Sequence, residues 1–132
     1  MTLSQRAPML PPAALNLRAE VREFLKNYEA RWTALDRAHS WTAFDRDFSR
    51  ELGKRGWIGM TWSAPFGAGR SALERFVLLE ELLSAGAPVG AHWVADRQSG
   101  PLILKVGTDA QKQRYLPGIA SGDISFCIGM SE

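Results

Sequence analysis

The sequence is poor in the residues that build disulfides and metal sites: among its 132 positions are one cysteine and two histidines. Cys127 alone can form no internal disulfide, and with only His39 and His92 beside it no soft-ligand zinc cluster can be assembled. A single unpaired thiol suits a reducing compartment, so a cytoplasmic location is expected. Charge of one sign is also scarce, with 16 Lys and Arg against 14 Asp and Glu for a formal charge of +2. The two signs alternate along the chain instead of forming basic blocks, which speaks against nucleic acid as a partner. No apolar run reaches the ~18 residues of a membrane span, and Met1 to Leu15 lacks the apolar centre of a signal peptide, so neither membrane insertion nor export is expected. There are no internal repeats, no Gly-x-Ser-x-Gly and no Gly-rich phosphate loop; Gly67-Ala68-Gly69 follows no predicted strand and reads as a turn.

What is present is the composition of a globular domain, 45% hydrophobic and 23% charged, enough for one core. Pro8, Pro11 and Pro12 predict an irregular leader over 1–15. From a cap at Asn16, the positions Leu17, Val21, Phe24, Leu25, Tyr28 and Trp32 form one stripe of an amphipathic helix. A polar link at His39-Ser40 leads to a second helix carrying Phe44, Phe48 and Leu52 and closed by Gly56. Trp57 to Gly69, rich in glycine and aromatics, reads as a buried loop in which Trp57 and Trp62 are packing residues.

Ser71-Ala72-Leu73-Glu74 has the capping-box pattern and opens a third helix, apolar around most of its circumference, with Phe76, Leu79, Leu82 and Leu83 expected in the core. A fourth helix runs from Pro88 to Lys105 with a kink or break at Pro101. A second capping box, Thr108-Asp109-Ala110-Gln111, begins the last helix, in which Pro117 starts a further turn and Gly122 closes it. Only Ile124 to Met130 changes period, predicting one β-strand with Cys127 as a buried, inert thiol. A lone strand leaves its ladder unpaired, so this stretch looks like part of a larger sheet. The expected fold is all-α and bundle-like, with a helical domain over 16–122 and the beginning of a β-strand over 123–132.

Four ordered pieces carry a family resemblance: Leu52-Gly53-Lys54-Arg55-Gly56-Trp57-Ile58-Gly59, Gly67-Ala68-Gly69-Arg70-Ser71, Leu79-Glu80-Glu81-Leu82, and Gly107 to Gly122 with its Tyr115-Leu116-Pro117-Gly118. In this order and spacing the chain resembles the N-terminal helical domain of acyl-CoA dehydrogenases over residues 15 to 132. Phe126 to Glu132 resembles the first strand of that family's middle β-domain. The sequence departs from the pattern in carrying Ile128 where many members have an aromatic residue and in a loop at Phe66 to Gly69 one glycine short.

The resemblance implies a flavoenzyme that removes a proton and a hydride from adjacent carbons of an acyl-CoA thioester, with FAD as the hydride acceptor. It places Met130 and Ser131 against the flavin and sets Ala91, Val94 and Gln98 on the helix face that looks into the acyl cavity. Gln98 would be an unusual lining for a purely aliphatic chain. The family's catalytic glutamate belongs to a C-terminal domain that this sequence does not contain, so no acidic residue here is named as the base. By resemblance the partners are the acyl-CoA substrate and the missing β- and C-terminal domains or another subunit, most simply a homo-oligomer, and the chain by itself is expected to be inactive. The alternative is a non-catalytic helical interaction or dimerisation module. On the residues themselves, His92 reads as a structural or surface histidine.

Overall fold

In a computed structural model, which describes residues 9–129, the chain folds as an all-α bundle. Helix α1 spans Pro12–Lys26, so it starts upstream of the expected cap at Asn16. Pro12 sits in the first turn, where its missing N–H would have had no partner and its fixed φ already suits a helix, so the part of the expected irregular leader from Pro12 on is helical, while residues 1–8 lie outside the described residues. Its buried stripe is Ala14, Leu17, Val21, Phe24 and Leu25. The stripe does not continue as α-helix to Trp32: a 3₁₀ turn at Glu29–Arg31 swings Trp32 back, so that Tyr28 and Trp32 stack at 6.1 Å and both meet the Phe48 ring, at 5.2 and 5.5 Å.

A short helix that the sequence reading did not foresee, α2 (Ala34–Ala38), follows. It is started by a capping box in which Thr33 Oγ1 accepts the Asp36 N–H at 3.2 Å while Asp36 Oδ2 accepts the Thr33 N–H at 2.8 Å. With no buried residue it has no apolar stripe to announce it. Helix α3 (Arg46–Lys54) is capped by Asp45, whose Oδ1 accepts the Phe48 N–H at 2.9 Å, and it buries Phe48, Ser49 and Leu52. Phe44, expected on this helix, precedes it and is 62% exposed. Gly56, at φ 66°, ends the run. Of the loop expected to be buried over Trp57 to Gly69, the first half is, with Trp57, Ile58, Met60 and Trp62 in the core, while Ser63, Ala64, Pro65, Ala68 and Gly69 are exposed.

Helix α4 (Ala72–Ser84) begins at the Ser71–Glu74 capping box, with both reciprocal bonds present. It packs along α1 through Val77, Leu78 and Leu82, beside a fork in which Arg22 Nε and Nη2 donate to Glu81 at 2.7 and 3.0 Å. Phe76 corrects the expectation of a core position, being 54% exposed. Leu73 on the same helix is likewise 47% exposed, and an all-round apolar helix buries only the side that a neighbour covers.

A single helical run follows, made of α5 (Gly90–Val94), a π turn (Ala95–Ser99) and α6 (Gly100–Val106), so the break expected at Pro101 is a widened turn just before it. Helix α7 (Asp109–Ala120) opens with the Thr108–Gln111 box and carries Pro117 inside. It meets α3 at Gly53, where a Cβ would come within 2.3 Å of the Ser121 carbonyl oxygen, so only glycine allows this approach. Beyond Gly122 no strand forms among the described residues. Asp123 and Ile124 give their N–H groups to the Gly118 oxygen, each at 2.9 Å, and Phe126 packs on Tyr115 at 6.0 Å. The expected strand lacks a neighbour to ladder with, and for the same reason Cys127 is exposed rather than buried.

Candidate functional site

The helical run 90–106 carries two of the buried polar side chains, His92 and Asp96. Its start is pinned to the turn before α3 by main-chain bonds from Val89 N–H to Ser40 O at 3.1 Å and from Gly90 N–H to Ala43 O at 2.9 Å, with the buried Ser40 Oγ donating to Ala87 O at 2.6 Å. The inward face is Ala91, His92, Ala95 and Asp96, all buried. His92 Nδ1 lies 2.8 Å from Ser49 Oγ on α3, and that hydroxyl donates to the Asp45 carbonyl at 3.0 Å. With the serine proton committed there, His92 satisfies the pair by donating from Nδ1. Burial pushes the imidazole pKa down to about 4, so the ring is neutral at pH 7 and ties α5 to α3. Of the two roles expected from the sequence, structural or surface, the fold gives His92 the structural one.

Asp96 sits one turn further on, inside the π turn. Its Oδ1 accepts the Gly59 N–H at 2.7 Å, joining the 57–69 loop to the helix. Burial raises its carboxyl above the ordinary range, against the opposing pull of that bond and of Arg75 and Arg97. Trp62 lies beside this bond in a slot of glycines. A Cβ would fall 2.6 Å from its ring on Gly59, 2.6 Å from its own Cβ on Gly67 and 2.3 Å from its ring on Gly100. Loop and π turn are thus clasped twice, by a carboxylate and by an indole.

Of the acyl-facing residues named from the resemblance, Ala91 is 1% exposed, Val94 is half-buried and Gln98 is exposed. They follow one another along the helix that contains the π turn. A groove of about 710 Å³ lined by Tyr28, Trp32, Phe44 and Phe48, among others, lies at the α1–α3 end and none of the three lines it. Met130 and Ser131, named for the flavin, lie outside the described residues. Among the described residues nothing forms a cradle for a flavin ring: the indole N–H groups of Trp57 and Trp62 lack partners, but both are enclosed in the core. Sequence reasoning missed Asp96 and its contact with Gly59. The available signal was an acidic residue next to the apolar Trp93-Val94-Ala95 segment, five positions before a proline.

Comparison with known proteins decides the family. A profile described as the acyl-CoA dehydrogenase N-terminal domain matches residues 11–123. The chain belongs to the acyl-CoA dehydrogenase family, as its N-terminal domain. Among curated members of that family, acyl-CoA dehydrogenase FadE26 of Mycobacterium tuberculosis is 39% identical over 88 residues, covering 66% of this chain and 22% of its own. Mitochondrial isovaleryl-CoA dehydrogenase of Pongo abelii is 32% identical over 143 residues, 98% of this chain and 34% of its own. The solved ChsE4–ChsE5 complex from Mycobacterium tuberculosis matches with TM-score 0.77 and 32% identity over 95% of this chain and 32% of the matched one. A structure described as the Tcur3481–Tcur3483 steroid ACAD matches with TM-score 0.73 and 35% identity over 89% and 31%. The chain therefore spans between 22% and 34% of the length of these relatives.

Proposed function

We propose that this chain is the N-terminal part of an FAD-dependent acyl-CoA dehydrogenase, an oxidoreductase that forms a double bond between the α and β carbons of an acyl-CoA thioester. The observation that carries the reading is the family match over residues 11–123. The contribution of this chain would be the helical wall of the acyl pocket, with Val94 and Gln98 reaching its surface and Ala91 behind them on the buried inward face. FAD, acting as hydride acceptor, and the base that takes the α-proton would be held mostly by residues beyond this chain, with Met130 and Ser131 reaching the flavin. The acyl group we favour is bulky and oxygen-bearing: Gln98 is a polar lining, and one structural relative is described as a steroid ACAD. The whole enzyme would act in the cytoplasm.

A second feature favours assembly with another subunit or further domains. Leu73, Phe76, Leu102 and Val106 are large apolar residues about half exposed or more, the kind of surface that is covered in a complete enzyme. The test mixes the purified chain with a polypeptide carrying the family's middle and C-terminal regions, adds FAD, and follows flavin absorbance and acyl-CoA-dependent dye reduction. The mixture is expected to bind flavin and reduce the dye, while the chain alone does neither. A stable complex that binds no flavin would overturn the reading.

A further inference from the structure

The backbone on both sides of Ala95–Ser99 is ordinary right-handed helix, so the widened turn between α5 and α6 needs a cause. Pro101 is part of it. Without an N–H, Pro101 would leave the Arg97 carbonyl unpaired in a regular α-helix, and its ring would crowd that carbonyl. A proline favours distortion of the preceding turn but does not choose its form. Two other contacts do choose, because they hold the helix from both ends of the turn: Asp96 is fixed to the Gly59 amide, and Gly100 is fixed against the Trp62 ring, where no other side chain fits.

A π turn inserts one residue relative to an α-helix, and one residue is about 100° of rotation. We propose that Asp96 is a positioning residue: by accepting the Gly59 N–H it holds the π turn, and the π turn sets the rotational register of Val94 and Gln98 against that of Leu102 and Ile103. Without the bond the run closes to regular helix and one flank turns, so that side chains now facing outward exchange places with their neighbours. The inference rests on the acyl-CoA reading only for what the Val94–Gln98 face meets. The register belongs to this chain and is measured without substrate.

The experiment uses the full chain with Cys127→Ser as background and single cysteines at Leu102, now 61% exposed, or at Ile103, now half-buried. Thiol labelling should be faster at 102 than at 103. In Asp96→Ala the ratio of the two rates should fall by roughly tenfold or reverse, whereas Asp96→Asn, which keeps an acceptor oxygen, should preserve it; simple loosening would raise both rates together. An unchanged ratio in Asp96→Ala, or Asp96→Asn behaving like Asp96→Ala, overturns the proposal. If Asp96→Ala does not fold, hydrogen exchange at the Gly59 amide in the natural chain and in Asp96→Asn decides: slow exchange in both supports the clasp, and fast exchange in either overturns it. A failed flavin-binding test with this register intact would count against the acyl-CoA reading alone.

Discussion

At the scale of single residues, the interior is specified by a few buried polar groups as much as by apolar ones. His92 and Asp96 stand one turn apart on one face and titrate in opposite senses. The His92 pKa falls from about 6.5 in the unfolded chain to about 4 in the fold, so the unfolded state binds the extra proton between those values. Its contribution is therefore complete above pH 6.5 and lost as the pH falls toward 4, a change of about 3 kcal/mol at most. Asp96 has the reverse sign: its raised folded pKa gives stability present at low pH and lost as the pH rises through that value, which offsets part of the His92 slope. Thermal unfolding midpoints measured from pH 7.5 to 4.5 should fall in the natural chain, fall less in His92→Asn, and fall more steeply in Asp96→Asn. A natural chain and His92→Asn with parallel profiles would contradict this account. The roles of these residues were only partly legible in the sequence. A neutral histidine could be expected from its apolar neighbourhood, but its partner Ser49 is 43 positions away and Gly59 lies 37 positions from Asp96, separations that only folding brings to contact.

At the scale of elements, the helix starts were the best-written part of the sequence, because a cap is a local bond between residues three apart. The boxes at Ser71–Glu74 and Thr108–Gln111 are both formed, and the one at Thr33–Asp36 follows the same rule with Asp in place of Glu. Replacing Ser71 with Ala should cost about 1 kcal/mol in urea unfolding with an unchanged slope, since it removes an acceptor for the first turn of α4 and leaves the core intact. A loss well below 0.5 kcal/mol would mean that packing on α1 alone fixes this helix start. Elements that depend on distant partners were misread. The strand at 124–130 is absent over its described part because a ladder needs a neighbour, and the α1 stripe was extended too far because the turn at Glu29–Arg31 is fixed by where Trp32 packs.

At the scale of the whole molecule, α1 and α4 pair along their length, and the first half of the 57–69 loop brings Trp57, Ile58, Met60 and Trp62 into the core and is tied to the π turn by Asp96. Large apolar side chains remain outside this core, among them Leu35, Phe44, Phe76 and Val106, each more than half exposed. The isolated chain should therefore self-associate, and sedimentation velocity should show a weight-average mass that rises with concentration. A strictly monomeric species throughout the range would remove this argument for an interaction surface.

The capping boxes that open α4 and α7 and the central apolar positions of α1 and α3 were determined by the sequence itself, because periodicity and capping act within a turn or two of the chain. The family resemblance was legible for the same reason, resting on short segments in fixed order. Tertiary structure alone decided which side of an all-round apolar helix is covered, leaving Leu82 buried and Phe76 exposed. It also decided that Pro101 is accommodated by a π turn and that Asp96 is held by Gly59, since both depend on surfaces meeting across the fold.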